Sequence, residues 1–407
     1  MRKTIKVISV LATAGIMALF SLVVYYTINL PDEFYVTEGN KLKLSCAVEI
    51  TAESAYENAA QPASSMGTSE SAVDLKLFGV VPIKEVKVQP VSQPVLIPGG
   101  SPFGIKMLTE GVVVIGLGDV DTSKGFVGPA KQAGIKIGDI ILSVQGQELL
   151  SNKDLAAIIE QSEGKPVEIV LRRGQTTHTF SVTPVLSQSS GTFKAGIWVR
   201  DSSAGIGTIT YYDPQTSAFG GLGHPVCDVD TGEILPLMSG DVVAVSISGV
   251  TMGAAGSPGE LVGNFISKTA IGKLLMNTET GIFGTLDFCP VSNKAIPMAM
   301  RQNIQVGPAT ILTTIEGTEP KEYDIMIEKI DLKDTEITKN MVIRVTDPDL
   351  LSKTGGIVQG MSGSPILQNG TLVGAVTHVF INEPTKGYAI FCENMYNFSQ
   401  NIENEAA

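Results

Sequence analysis

Two short strings hold the residues best suited to nucleophilic chemistry. The first is Phe219-Gly220-Gly221-Leu222-Gly223-His224-Pro225, which sets one of only three histidines in the chain on a glycine-flanked turn. Glycine permits sharp turns and close backbone approach, so His224 can stand at the edge of a site, although a lone histidine is more often structural. The second is Gln359-Gly360-Met361-Ser362-Gly363-Ser364-Pro365-Ile366-Leu367. A serine between glycines can be exposed on a tight turn, and the backbone from Gly360 to Ser362 can aim N–H groups at a developing oxyanion. The chemistry implied is acyl transfer. Ser362 attacks a carbonyl, His224 removes its proton and later protonates the leaving amine, and a carboxylate holds the imidazole tautomer.

A third string, Gly370-Thr371-Leu372-Val373-Gly374-Ala375-Val376-Thr377-His378, follows the serine. Together the last two resemble the GDSGGP and LVGxVSWG strings of chymotrypsin-like serine peptidases. In that family the second string lines the substrate cleft, which implies that Thr377 supports the triad carboxylate and that His378 lies on the cleft wall. His224 precedes Ser362 by 138 positions, the order found in two-barrel peptidases. The acidic partner stays open. Asp287, in Gly284-Thr285-Leu286-Asp287-Phe288, has the spacing of that fold, whereas Asp347 lies only 15 positions before Ser362. Asp228 and Asp230 suit turn caps.

The elements that must position these residues read as mainly β. From 187 to 407 the chain is made of short glycine-punctuated strands, at 205–210, 242–248, 304–313, 323–330 and 341–345, with 258–276 the stretch that reads as helix. That texture predicts a barrel or sandwich, and the peptidase resemblance implies a double β-barrel. Residues 99–186 resemble a bacterial PDZ domain through Ala133-Gly134-Ile135-Lys136-Ile137-Gly138-Asp139-Ile140-Ile141. Ser151 and Asp154 there form a capping box, Leu155, Ile158 and Ile159 share a helix face, and Gly164 ends the helix. By position Phe103, Gly104 and Ile105 would offer the edge to which a peptide adds as a strand, or would pack the PDZ core. Residues 31–98 read as an extended region and linker, with a Ser/Ala-rich tether at 51–72 that is a candidate proteolysis site.

Residues 1–30 comprise a basic tip (Arg2, Lys3, Lys6) and an uncharged apolar run from Val7 to Ile28. At 1.5 Å per residue that run spans ~33 Å, enough for a bilayer core. No small-x-small site follows it, so a retained anchor is favoured over a cleaved signal, and the basic flank places residues 31–407 outside the cytoplasm. The formal charge of -12, without a basic cluster beyond the N-terminus, argues against a nucleic-acid partner. Four scattered cysteines (46, 227, 289 and 392) fit either one or two disulfides or buried thiols. No metal-ligand cluster or phosphate loop implies a cofactor.

Taken together, the anchor, the PDZ unit, residues 221–233 and residues 360–366 closely resemble peptidase family S55, the sporulation serine peptidases. The resemblance implies His224 as base, Ser362 as nucleophile, Asp347 as a required acid and a role for Thr377. It also implies a forespore protein facing the intermembrane space, which trims its own N-terminal region with PDZ assistance. It then cleaves a membrane-anchored regulatory protein, triggering late sigma-factor activation. The competing reading is a catalytically inactive scaffold that only binds membrane signalling partners.

Overall fold

The computed structural model describes residues 2–54, 71–289 and 291–405. Arg2–Asn29 is a helix, and its segment Ile5–Asn29, with mean hydropathy 2.5, is long and apolar enough to cross a membrane. The next region is more ordered than a linker. Strands Glu33–Thr37, Ile50–Ser54, Ser71–Leu77 and Val81–Val91 form one sheet. Its alternating inward residues, among them Phe34, Val36, Leu75, Leu77 and Val86, make a core of their own. Of the expected tether, residues 51–54 and 71–72 belong to strands, and 55–70 lie outside the described residues.

Two six-stranded barrels follow. The first closes through Pro102–Leu117, Leu237–Thr251, Glu260–Thr278, Gly281–Leu286, Ala218–Gly221 and Ile197–Tyr212, which pairs back onto the first strand. The second closes through Gly307–Thr313, Lys321–Ile330, Met341–Val345, Lys386–Phe391, Thr371–Val379 and Pro365–Gln368. Each is filled by alternate inward side chains: Phe103, Met107, Ile209, Phe219 and Val242 in the first, and Ile311, Ile325, Ile343, Val376 and Phe391 in the second. The seam between them buries Tyr211, Phe283, Leu372, Ile390 and Met395. The segment 258–276, expected as a helix, is instead most of the 19-residue strand Glu260–Thr278. Its β-branched and aromatic residues (Val262, Phe265, Ile266, Ile271) fit a pleated surface better than a helix.

The PDZ unit does not precede the peptidase body; it is inserted into the first barrel. Pro102–Leu117, the outgoing strand, runs from the barrel into the PDZ core, and Ile197–Tyr212, the return strand, runs back. The two pair antiparallel at both levels, Ile105 with Gly205 in the barrel and Val114 with Val199 in the insertion. Between them Val112, Val114, Ile141, Leu155, Ile159, Ile169 and Leu171 form a separate core. The signature residue Asp139 is buried and binds the Arg173 guanidinium through both oxygens at 2.7 Å while accepting the Lys136 N–H. Ser151 caps the helix Asn152–Gln161 by accepting the Asp154 N–H, as its sequence predicts.

This insertion corrects the reading of Phe103, Gly104 and Ile105. They lie within the first barrel, bonded on one edge to residues 205–207 and on the other to 242–244, so no edge is open to a peptide. Phe103 is fully buried edge-to-face against Phe219, with ring centroids 5.7 Å apart. Phe103→Ala is therefore expected to lower stability by about 3–5 kcal/mol in urea unfolding, whereas a peptide-edge role would leave the midpoint unchanged.

Candidate active site

The nucleophile string lies where the barrels meet. Thr208 and Thr210, on the return strand of the first barrel, reach across to the second. Thr208 Oγ1 donates to the Gly360 carbonyl and Thr210 Oγ1 to the Gly363 carbonyl, both at 2.8 Å, and the Thr208 N–H bonds the Ser362 carbonyl at 3.0 Å. Gly363 is required here: its φ is +94°, and a Cβ would lie 2.0 Å from the Thr208 carbonyl oxygen. Gln359 is held by the hairpin of Leu237–Thr251 and Glu260–Thr278, donating to the Gly259 carbonyl and accepting from Leu261. The Met361 N–H is bonded to Val358, but the N–H groups of Gly360 and Ser362 have no backbone acceptor among the described residues. Two free donors flanking the serine are what an oxyanion requires.

His224 arrives from the first barrel. Leu222 before it is in the left-handed region (φ +65°), a strained conformation for leucine. A Cβ on Gly223 would lie 2.9 Å from Ile390 and 3.0 Å from Thr377, so this turn presses directly on the second barrel. Nδ1 lies 2.8 Å from the Pro225 carbonyl. A carbonyl only accepts, so Nδ1 carries the proton and Nε2 is left with its lone pair. Burial pushes the His224 pKa below the usual imidazole value, partly opposed by the Pro225 bond.

His224, Ser362, Gly360, Thr377 and His378 line one cavity of about 500 Å³. Its walls are apolar, with Ile206, Leu222, Val226, Ile357 and Val379 prominent, and no Asp, Glu, Lys or Arg lines it among the described residues. The His378 ring lies 5.1 Å from that of His224, centroid to centroid. Desolvation, then the His224 and Lys339 charges, push its pKa down to about 4. The Ser362 hydroxyl donates to the Thr377 carbonyl at 2.8 Å, and the Thr377 hydroxyl donates to the Thr338 carbonyl rather than to a carboxylate. Ile105 also lines this cavity, its only meeting with the expected functions.

The acidic residues are elsewhere. Asp347 is the N-cap of the helix Pro348–Thr354, its carboxylate accepting the Leu350 N–H at 2.9 Å. Asp287 is exposed just beyond the strand Gly281–Leu286. Neither reaches His224; the place of an orienting acid is taken by the Pro225 carbonyl. Thr208 and Thr210 are the residues the sequence reading passed over. Their signal was two hydroxyls on one face of the apolar stretch 204–212. All four cysteines are free thiols.

Comparisons with known proteins place the chain among its relatives. The profile of the SpoIVB peptidase S55 family matches residues 191–396, just over half of the chain. The chain belongs to the SpoIVB peptidase S55 family. A PDZ domain profile matches 127–173. Among curated proteins, the chain is 43% identical over 56 residues to serine protease HTRA1 of Xenopus tropicalis, covering 14% of this chain and 12% of that one. The shared stretch is thus a small fraction of that relative's length. Among solved structures, the PDZ domain of an SdrC-like protein from Listeria monocytogenes is similar at 22% identity, over 22% of this chain and 87% of that one, with TM-score 0.19. The Rv3671c protease in an inactive form is similar at 13% identity, over 48% and 84%, with TM-score 0.29. S55 membership supports a serine peptidase.

The cap geometry separates two roles for Asp347. As a cap, Asp347→Ala is expected to cost about 1 kcal/mol of stability, while Asp347→Asn, which caps equally well, restores both stability and activity. A triad carboxylate would instead lose activity by roughly 10⁴ in the asparagine variant. Thermal unfolding and activity of both variants decide it.

Proposed function

We propose that this chain is a membrane-anchored serine endopeptidase with Ser362 as nucleophile and His224 as general base. The observation that carries this reading is the convergence of His224, from the first barrel, and Ser362, from the second, on one apolar cavity beside two unpaired backbone N–H groups. Rotation about χ1 moves the Ser362 hydroxyl from the Thr377 carbonyl toward the lone pair on His224 Nε2. Attack on the scissile carbonyl then places the oxyanion against the Gly360 and Ser362 N–H groups, and His224 returns the proton to the leaving amine. Gly360 is in this sense an oxyanion residue. Thr377 is the resting partner of the serine through its carbonyl, and His378 is a cleft wall. The uncharged cavity favours uncharged residues around the scissile bond.

Family membership also supports the finer assignment. The body faces the intermembrane space around the forespore, held by the N-terminal anchor. It processes its own N-terminal region, with the PDZ unit assisting, and cleaves a membrane-anchored regulator that leads to late sigma-factor activation. A second reading has two observations in its favour: among the described residues no carboxylate contacts His224, and the serine hydroxyl is bonded elsewhere, as in an inactive scaffold.

The test is the N-terminal fragment pattern of wild type beside Ser362→Ala, with labelling of the full chain in detergent by a fluorophosphonate. Processing and labelling in wild type, both abolished in Ser362→Ala, are the expected result; a folded wild type that does neither supports the scaffold. His224→Ala is expected to slow labelling by several orders of magnitude. Because burial lowers the His224 pKa, its neutral, basic form persists as pH falls. The acid limb of the labelling rate should accordingly lie below pH ~6.5, the ordinary histidine value. A limb above that value contradicts His224 as the base.

A further inference from the structure

His224 opens a hairpin whose two strands are held from opposite sides. Cys227 bridges Ile234, Leu235 N–H bonds the Val226 carbonyl, and Asp228 N–H bonds the Glu233 carbonyl. On one side Asn277, from Glu260–Thr278, accepts the Val226 N–H and donates to the Val226 and Leu235 carbonyls at 2.8–2.9 Å. On the other side stands Arg200, on the return strand between the PDZ core and the barrel. Its Nη1 lies 2.7 Å from Asp228 Oδ2, and its Nη2 donates to Asp230 Oδ2 at 2.7 Å.

Asp228 is the key to this contact. Its side chain is fully buried, and Oδ1 caps the turn by accepting the Asp230 and Thr231 N–H groups. Oδ2 has no hydrogen bond of good geometry, so its contact with Arg200 is chiefly charge on charge. A buried carboxylate with one cationic neighbour depends on that neighbour. This carboxylate lies four residues from the imidazole whose loop it shapes.

We propose that Arg200 is a positioning residue for His224, acting through Asp228 and Asp230 to fix the loop and to neutralise the buried charge behind it. The inference rests on the assignment of His224 as base. The titratable groups that share the cavity with His224 are His378, Cys227 and Ser362. Burial, with Glu233 and Asp228, raises the Cys227 thiol, so it is uncharged. Lys339, which acts on His378, is itself paired with Glu336. Asp228 faces a neighbouring cavity lined also by Lys136, Asp139, Arg172, Arg173 and Glu233, but among the described residues its one ion pair is with Arg200, so its charge, once uncovered, acts on the loop that carries the imidazole.

The same return strand supplies Ser203, Ala204, Gly205 and Ile206 to the cavity wall and Thr208 to the nucleophile loop. Arg200 thus ties the histidine loop to the strand that grips the serine. Because Asn277 still holds the hairpin when Arg200 is replaced, the loop is expected to loosen rather than unfold.

The experiment is the pH dependence of fluorophosphonate labelling of Ser362, in which Oγ displaces fluoride and His224 takes the proton, on the full chain in detergent. Arg200→Met is expected to slow labelling at least tenfold and to move the acid limb up by roughly 0.5 unit or more, as an unpaired carboxylate stabilises the imidazolium. Arg200→Lys should recover part of the rate. Arg200→Met/Asp228→Asn, with both charges gone, should return the limb toward wild type. Arg301→Met, which breaks a similarly buried pair with Glu393 away from both Asp228 and the His224 cavity, should lower thermal stability and leave the limb in place. If Arg200→Met and Arg301→Met behave alike, or if the limb stays fixed in a folded Arg200→Met, the positioning role is wrong although Ser362 still labels. If wild type does not label at Ser362, the peptidase reading fails and this role with it.

Discussion

The grip of one strand on both halves of the site is the constraint on which the rest of this structure depends. The return strand Ile197–Tyr212 is paired into the first barrel from Ser202 onward, and its Thr208 and Thr210 hydroxyls hold the carbonyls on either side of Ser362. These bonds are buried, and Thr208 and Thr210 are almost wholly inaccessible. A neutral hydrogen bond of this kind adds only about 1 kcal/mol, but a buried polar group left unpaired costs more. The nucleophile loop therefore has one acceptable position against the first barrel. Gly363 marks the contact, since any side chain there would strike the strand.

From that contact the chemistry follows with little further machinery. A backbone carbonyl, that of Pro225, fixes the imidazole tautomer, and burial keeps the ring neutral. A backbone orienter carries no charge, so it stabilises an imidazolium less than a carboxylate does. His224, the proposed base, is correspondingly more sensitive to stray charge near it. The neighbouring His378, held neutral over most of the pH range, and a cavity wall free of Asp, Glu, Lys and Arg among the described residues fit that requirement.

Much of this was legible in the sequence, and the reasons differ by residue. His224, Ser362, Thr377 and His378 could be found because local strings of glycines and hydroxyls announce turns and strands that nearby residues determine. The PDZ helix and its Ser151 cap were readable for the same reason. Asp347 stays open between two roles because helix capping and catalysis call for the same residue type, and the cap it makes to Leu350 does not by itself separate them. Phe103 to Ile105 misled because one long strand runs from the barrel into the insertion, its junction marked by a single residue, Gly111 (φ +68°), that resembles any of the chain's many turn glycines. The helix expected at 258–276 failed where β-branched residues and strand partners outweighed an apparent period. Arg200 was invisible, since its meaning lies in Asp228 and Asp230, which appear some thirty positions later.

The insertion also governs how such a barrel can assemble. Leu108 pairs with Ser202, and the roughly ninety residues between them would cost about 4 kcal/mol of loop-closure entropy if joined from an open chain. The inserted domain removes most of that cost. Once its own core forms, Leu117 and Ile197 are already side by side, and the barrel strands need only zip outward from them. The small domain then serves as a nucleus for the larger one. Damage to its core would delay formation of the catalytic cleft even when every residue of that cleft is intact.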